Sequence, residues 1–433
     1  MKPVFDDMNA VALDNAGDRA RACTDEVVPA PAWVASWTAS PQAVWEPGFL
    51  FPTNVPNELH DQTVRQVARI SLGGRRLRIV LSNAYGKAPL VIGGASVGRE
   101  GMQGALAGEL LPVTFDGEPT VTIAPGASLT SDLIALPLAA LSRVSVSLYL
   151  PQKTPLSTFH WDGRQTAWIA AGNWTAERDL AVDAQATTAR LLLSAIEVEA
   201  EASAWSVAAI GDSITDGAAA SLDADTRWTD FLAERLAPQG VAVINAGISG
   251  ARLLSDGMGV NALARLERDV LAQPGVRSVV VLLGINDISW PGTAFFPDGS
   301  RPALETLVSG YRQLIARARS RGLRVIGATL PPFLGALPDT PLEDYYHPDK
   351  DTLRQQVNAW IRESDAFDAV VDFDAVLRDP DNPARMAEPF DSGDHLHPGD
   401  AGNRAMAEAV ALDTLGVRMN SAMNALSSAV QER

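Results

Sequence analysis

The stretch 206–217, SVAAIGDSITDG, decides how the second half of this chain folds. Its apolar run stops abruptly at Gly211, Asp212 and Ser213. An apolar strand that ends in Gly-Asp-Ser and turns into a helix places a serine hydroxyl at the carboxyl edge of a sheet, where open α/β sheets carry their chemistry. Gly, Asp and Ser are also ordinary turn residues, so the stretch alone fits a plain tight turn equally well.

The sequence around this stretch alternates between strand-like and helical patterns. Apolar runs occupy 207–210, 241–244, 279–283, 323–330 and 369–373, and helical patterns follow them at 228–236, 262–271, 304–319, 352–361 and 401–412. Nearly continuous apolar strands are typical of a parallel sheet that is covered on both faces, with right-handed crossovers. The pattern predicts a three-layer α/β/α, flavodoxin-like domain over 200–415 with a five-stranded parallel sheet.

The first half of the chain has a different period. Short alternating runs lie at 64–71, 76–82, 91–97, 120–123, 143–150, 166–169 and 190–198, separated by turn residues. Many short strands at this spacing predict a β-sandwich, jelly-roll-like, over 31–199. We expect a flexible extension over 1–30, a linker or long loop over 177–189, and a tail over 416–433.

Tryptophans are frequent in this predicted sandwich, and they allow two interpretations. They are a sugar-stacking face or, more commonly for such residues, part of the core and of interdomain packing; the six are Trp33, Trp37, Trp45, Trp161, Trp168 and Trp174. The sandwich is then a carbohydrate-binding part, or a lid and packing partner whose loop at 160–162 reaches the pocket of the second domain.

Composition excludes several classes of partner. The 433 residues carry a net charge of −17, a balance that disfavours binding to nucleic acid or to an anionic membrane. No apolar run approaches the roughly 18 residues of a membrane span, so we expect none. Cys23 is the single cysteine, which excludes an internal disulfide. Residues 1–30 lack the apolar core of a signal peptide; the protein is then cytoplasmic, or secreted or periplasmic if a leader was removed. The oligomeric state stays open.

Polar residues follow the predicted strand ends in a pattern that suits acyl transfer. A serine nucleophile such as Ser213 needs a base, and His397 can take that part with Asp394 three residues before it orienting the ring. A developing oxyanion needs donors, and the candidates are the Ser213 N–H, the Gly247 N–H and the side chain of Asn286. All of these residues belong to the same edge of the predicted parallel sheet.

Other readings of the same residues remain open. Gly247 could serve only the turn, Asn286-Asp287 could be a turn or helix cap, and His395 competes with His397 as the base. A zinc site would use the two histidines with Asp391 and Asp394, and a magnesium site would use Asp212, Asp216 and Asp287. Neither has a supporting ligand spacing, so we expect no metal and no cofactor.

Four ordered stretches resemble the SGNH (GDSL-type) hydrolase superfamily, a group of esterases and lipases, over about 205–413. They are GDSITDG at 211–217, NAGISG at 245–250, GIND at 284–287 and DHLHP at 394–398. The resemblance implies Ser213 as nucleophile, His397 as general base and Asp394 as its orienting acid. It also implies an oxyanion hole of Ser213, Gly247 and Asn286. Thr215 stands where ordinary α/β-hydrolases have the second glycine of GxSxG, which separates the chain from them.

The first half is similar to the sandwich that precedes this domain in a bacterial two-domain esterase subgroup, usually treated as exported. The stretches WVASWTASPQ at 33–42 and LRIVLSNAYGKAPLVIGGASV at 77–97 carry that similarity. We therefore expect a serine esterase that hydrolyses short-chain acyl or O-acetyl esters of small molecules or carbohydrates. The alternatives are a lysophospholipase or thioesterase for longer chains, and a carbohydrate-binding protein with an inactive hydrolase domain. Candidate substrate-binding residues are Asp212, Ile248, Arg252 and Trp290.

Overall fold

A computed structural model describes residues 31–101 and 105–417. The predicted extension over 1–30, Cys23 and nearly all of the predicted tail lie outside the described residues. Strands β1–β17 are Ala32–Thr38, Gln42–Ala43, Glu58–Leu59, Gln62–Arg69, Leu77–Ser82, Leu90–Ile92, Gly94–Glu100, Leu106–Pro112, Val121–Ile123, Ser128–Thr130, Arg143–Leu150, Thr154–Pro155, Thr158–His160, Ala167–Ala171, Gln185–Thr187, Arg190–Leu191 and Leu193–Ala200.

The second half supplies the remaining strands and the α-helices. Strands β18–β22 are Trp205–Gly211, Val241–Gly247, Val276–Leu282, Arg324–Ala328 and Ala369–Val371. Helices α1–α8 are Ser213–Asp216, Trp228–Leu236, Ala262–Leu266, Ile285–Ser289, Leu304–Ser320, Pro348–Glu363, Phe373–Leu377 and Asp400–Ala409. Helix α3 continues as a π-helix over Glu267–Leu271, and short 3₁₀ turns occupy Ala237–Gln239, Glu343–Tyr345 and Leu412–Leu415. No helix of the described residues combines the length and the apolar character that crossing a membrane requires.

Strands β18–β22 form one parallel sheet in the order β19-β18-β20-β21-β22, which confirms the predicted fold of the second half. Every residue of β18 is buried, because helices cover both faces of the sheet. Helices α2, α7 and α8 pack together, as do α3, α5 and α6. The order 2-1-3-4-5 has its switch point between β18 and β20, where ligands of such sheets bind.

The quoted stretch folds as its residue types require. β18 ends at Gly211, where a Cβ would lie 2.1 Å from Thr215 Oγ1, so only glycine fits. Asp212 caps helix α1 by accepting the N–H of Ile214, at 3.1 Å. The helix ends after one turn at Gly217, whose φ of +106° suits glycine. Ser213 is therefore the first residue of a helix that starts at the carboxyl edge of the sheet.

The first half consists of two main antiparallel sheets, in the orders β1-β17-β5-β10 and β15-β14-β4-β11-β7-β8. Alternate residues of both sheets meet in one apolar core, Val34, Ile79, Val97, Val146 and Ile196 among them. This is the predicted sandwich, because the two sheets enclose one shared apolar core.

The stretch 177–189 is not a linker between domains. It contains β15, which pairs with β14, and β16 and β17 follow it within the sandwich. Of the two expectations for 177–189, a linker or a long loop, the structure matches the long loop within the sandwich. The last helix is also shorter than predicted, since α8 ends at Ala409 and a separate 3₁₀ turn follows.

The sandwich packs against the edge strand β19 of the parallel sheet through β1. Ser206 donates its hydroxyl to Ala35 O at 2.9 Å, and Thr38 donates its hydroxyl to Asn245 O at 2.7 Å. The residues of both halves lie in one compact unit, so the boundary between 31–199 and 200–415 stays a prediction.

Candidate functional site

A continuous hydrogen-bonded line joins Ser213, His397 and Asp394. The Ser213 hydroxyl lies 2.8 Å from His397 Nε2, and His397 Nδ1 lies 2.6 Å from Asp394 Oδ2. Ser213 begins α1, while Asp394 and His397 come from the loop before α8, 184 residues away from the serine along the chain. The arrangement can hold a serine proton on a base whose far ring nitrogen meets a carboxylate.

The loop that carries Asp394 organises itself around this carboxylate. Asp394 Oδ1 accepts the backbone N–H groups of Leu396 and His397, at 2.9 and 2.8 Å. Burial by itself raises the pKa of Asp394, but the bonds and charge of His397 hold that pKa well below its ordinary value. The carboxylate is therefore ionised whenever His397 is in a position to accept a proton.

His395 forms a second aspartate–histidine pair that does not reach the serine. Its Nδ1 lies 2.6 Å from Asp391 Oδ2, and 42% of the side chain is exposed. His395 has a φ of +60°, and unlike His397 it does not line the cavity at Ser213. Of the two candidate bases, the structure brings only His397 to Ser213.

Asn286, in the GIND stretch, is held with its amide in one orientation. Its Oδ1 accepts hydrogen bonds from Trp290 Nε1 at 2.9 Å and from the Tyr345 hydroxyl at 2.8 Å. Its Nδ2 donates to Ala251 O at 3.0 Å, which uses one of its two protons. The other N–H is free for a ligand in the cavity that Asn286 lines.

Gly247, the predicted oxyanion donor, has another place. Its N–H donates to Asn245 Oδ1 at 2.8 Å, and it does not line the cavity at Ser213. A Cβ on Gly247 would lie 2.4 Å from the backbone nitrogen of Asp216, so glycine here lets β19 approach α1. The structure corrects the prediction, because the spare amide is not at this glycine.

Gly250, three residues further on, lines the cavity together with Ser213 and Asn286. Its φ is +72°, and a Cβ would lie 2.3 Å from Met258 Sδ and 3.0 Å from Trp290 Cζ2. Among the hydrogen bonds of the described residues, neither the Ser213 N–H nor the Gly250 N–H has a backbone acceptor. Gly250 is the second glycine of the same NAGISG stretch, and nothing in the sequence pattern distinguishes it from Gly247 as a donor.

Of the four predicted substrate-binding residues, only one lines the cavity. Trp290 lines the cavity, whereas Asp212, Ile248 and Arg252 do not. Asp212 and Ile248 are fully buried, and burial raises the pKa of Asp212 to about 7. Arg252 stacks on Trp290, with its guanidinium carbon 4.8 Å from the ring centroid. These three residues lie outside the cavity lining, and Arg252 contacts it only through Trp290.

A cavity of about 250 Å³ opens at the Ser213 hydroxyl. Both halves of the chain line it, and most of the lining is aromatic or aliphatic: the sandwich contributes Phe51, Trp161 and Asp162, and the α/β domain contributes Met258, Trp290, Phe295, Leu337, Leu342, Tyr345 and Leu396 besides the polar residues above. No lysine or arginine of the described residues lines it. The loop at 160–162 thus reaches the pocket, while Phe51 and Tyr345 carried no sequence signal.

Two of the six sandwich tryptophans, Trp45 and Trp161, pack against other aromatic rings near this cavity. Trp161 stacks with Phe51 at 5.6 Å between centroids, and Trp45 contacts Trp161 at 5.2 Å. A larger cavity of about 830 Å³ shares Phe51 with the first. Its lining, mostly from 45–57 and 185–188, contains one charged residue, Glu46.

The acidic residues considered as metal ligands have other partners. Asp287 accepts the N–H groups of Leu253 and Leu254 at 2.7 and 2.9 Å, and Asp216 accepts from Ser249. Within 31–101 and 105–417, no three His, Cys, Asp or Glu side chains are grouped as a metal site requires.

Residues 207–410 match the family model described as GDSL-like Lipase/Acylhydrolase. The chain therefore contains a hydrolase domain of the GDSL/SGNH family, preceded by a strand-rich region. No curated protein matches the chain.

Several solved structures resemble about half of the chain. The native aryl esterase of M. smegmatis is 20% identical and has a TM-score of 0.40, with 50% of this chain and all 100% of that chain covered. The acetyl xylan esterase AlAXEase is 21% identical, with 47% and 96% covered and a TM-score of 0.35. A GDSL-like lipase from Bacteroides thetaiotaomicron VPI-5482 is 16% identical, with 49% and 89% covered and a TM-score of 0.36.

Proposed function

We propose that this hydrolase is a serine esterase that cleaves carboxylic esters through an acyl-enzyme on Ser213. The observation that carries the proposal is the line from the Ser213 hydroxyl to His397 at 2.8 Å and on to Asp394 at 2.6 Å, which opens on a cavity. A nucleophile, a base and an orienting carboxylate within hydrogen-bonding distance are the parts that acyl transfer requires.

In the first step, Ser213 Oγ attacks the ester carbonyl carbon while His397 Nε2 takes the hydroxyl proton. The tetrahedral intermediate collapses, His397 gives its proton to the leaving alcohol, and the acyl group stays on Ser213. Water then attacks the acyl-enzyme with His397 again as base, and the acid leaves. Asp394 holds the His397 ring and stabilises its charged form throughout.

The oxyanion that forms in both steps would be bound by the Ser213 N–H, the Gly250 N–H and the free Nδ2 proton of Asn286. Gly250 replaces Gly247 in this role, because the Gly247 N–H already bonds Asn245. These donors are preorganised, which is what makes an oxyanion hole effective in a site that excludes water.

Short acyl or O-acetyl groups on uncharged alcohols, including carbohydrates, suit the site best. The cavity of about 250 Å³ is small, and no lysine or arginine of the described residues lines it to favour a carboxylate or phosphate near the reacting ester. The adjoining cavity of about 830 Å³ has a nearly uncharged lining of amides, hydroxyls and aromatic rings, which suits the alcohol half of a sugar ester.

Ser213→Ala tests the mechanism directly. Hydrolysis of p-nitrophenyl acetate should fall by roughly 10⁴-fold or more, as in other serine hydrolases that lose their nucleophile. The circular dichroism spectrum and the melting temperature should stay close to those of the wild type. Activity near that of the wild type in a folded Ser213→Ala protein would rule out the acyl-enzyme.

A second candidate is a lysophospholipase or thioesterase for longer chains, favoured by the largely apolar lining of the cavity at Ser213. A series of p-nitrophenyl esters from two to twelve carbons separates the two, with the maximum of kcat/KM expected below about eight carbons for the first. Acetylated oligosaccharides assayed beside this series would show whether the alcohol half contributes. Glycan binding without any esterase activity would instead favour a carbohydrate-binding protein.

A further inference from the structure

A buried polar side chain of the sandwich, His160, reaches the carboxyl edge of the parallel sheet. His160, at the end of β13, is 5% exposed, and its Nε2 lies 2.9 Å from Asp216 Oδ1 in helix α1. Its Nδ1 lies 3.1 Å from Ser40 O, in the segment that follows β1. An oxygen atom lies within hydrogen-bonding distance of each ring nitrogen, so the ring is fixed from two sides.

The Asp216 carboxylate also bonds the turn after β19. Its Oδ2 accepts both the backbone N–H and the hydroxyl of Ser249, at 2.8 and 2.7 Å. Burial by itself raises the pKa of Asp216, but His160, Arg227 and Ser249 hold that pKa below its ordinary value. A buried, ionised carboxylate thus joins the sandwich to the residue immediately before Gly250.

The position of Ser249 matters because the next peptide carries the Gly250 N–H. That N–H must point into the cavity to serve an oxyanion, and the left-handed conformation of Gly250 sets its direction. Two hydrogen bonds to Ser249 fix the start of this turn, and Asp287 fixes its far end through Leu253 and Leu254. One of these anchors belongs to the α/β domain alone, whereas the other depends on the sandwich.

We propose that His160 is a positioning residue for the oxyanion hole, which it supports through Asp216 and Ser249 from the other half of the chain. This inference rests on the proposed esterase function. With this role, the sandwich contributes more than residues that line the cavity: its His160 is also required for the oxyanion hole to work. His160 does not touch the substrate; it acts by holding the Gly250 amide in the direction that binds negative charge.

The test compares an ester with its thionoester, since sulfur accepts hydrogen bonds only weakly and gains little from an oxyanion hole. The probes are p-nitrophenyl acetate and the matching thionoacetate. In His160→Ala, we expect kcat/KM for the ester to fall roughly 10- to 100-fold. For the thionoester, kcat/KM should fall less than about threefold. The ratio of kcat/KM for the ester to kcat/KM for the thionoester should therefore fall as well.

Two further variants separate positioning from folding. His160→Gln keeps a donor of similar reach and should restore part of the ester rate and of the ratio. His60→Ala removes an exposed histidine of the same half and should change neither. The melting temperature of each variant reports any loss of packing.

Equal losses for ester and thionoester in His160→Ala, or no loss at all, would overturn the inference. Either result leaves the esterase proposal intact as long as Ser213→Ala is inactive toward the ester. If Ser213→Ala retains activity, the esterase proposal fails and this inference fails with it.

Discussion

The two sides of the candidate site are built in different ways. On the base side, Asp394 and His397 lie three residues apart in one loop, and their contacts to each other are mostly local. On the oxyanion side, Asn286 depends on Tyr345 in a distant segment, and the turn at Gly250 depends on residues up to 90 positions away in sequence. An arrangement held by residues close in sequence tolerates many substitutions elsewhere. An arrangement built from several distant segments depends on the whole fold.

The difference predicts where the chain tolerates substitution. The base side should be the less sensitive to changes elsewhere, because Asp394 and the backbone of the same loop orient His397. One backbone hydrogen bond, from Leu337 N–H to Asp394 O, ties this loop to a distant segment. The oxyanion side should weaken by degrees, since each anchor of Gly250 and Asn286 carries part of the geometry. The following substitutions test this contrast, starting with the largest expected effect.

His397→Ala should lower kcat for p-nitrophenyl acetate by at least about 10³-fold, because Ser213 loses its base. His395→Ala offers a matched control, since His395 pairs with Asp391 in the same loop through an equally short bond of 2.6 Å. We expect that control to keep kcat within about twofold. Similar losses in both variants would mean that the loop, and not one histidine, carries the effect.

Asn286→Ala should lower kcat by roughly 10²- to 10³-fold, the usual cost of one oxyanion donor. KM should change little, because the donor binds charge that develops only in the transition state. Asn173→Ala serves as the control, because Asn173 is an exposed asparagine of the sandwich that lines neither cavity. A rise in KM with unchanged kcat would assign Asn286 to substrate binding instead.

Tyr345→Phe should have the smallest effect, roughly threefold to tenfold on kcat. The change removes one of two donors to Asn286 Oδ1 and leaves Trp290 to hold the amide. Tyr346→Phe removes a neighbouring hydroxyl that does not line the cavity and should be silent. A loss in Tyr345→Phe as large as that in Asn286→Ala would show that the tyrosine contacts the reacting groups itself.

Residues that act with near neighbours were predictable from the sequence. The strand before Gly211, the cap at Asp212 and the pair Asp394 and His397 follow from apolar runs, turn chemistry and a spacing of three. The parallel sheet followed from the alternation of strands and helices in the same way. In each case the partners are close in sequence, or the rule concerns a whole element.

Choices between neighbouring glycines could not be made from the sequence. Gly247 and Gly250 stand in one short stretch, and only the register of β19 beside β18 brings Gly247 against Asp216 and leaves Gly250 at the cavity. The same holds for the substrate candidates, since Arg252 follows a strand end yet stacks behind Trp290. Which side of a turn faces a pocket depends on backbone dihedral angles that residue types do not specify.

Patterns along the sequence predicted the two folds and the serine at the sheet edge, and the family resemblance favoured His397 over His395 as its base. The three-dimensional structure was needed to place Gly250 at the cavity, to pair Tyr345 with Asn286, and to bring Phe51 of the sandwich to the same site. The physical reason is distance along the chain. Short-range patterns report the secondary structure and its caps, whereas contacts between residues tens to hundreds of positions apart exist only once the two halves pack.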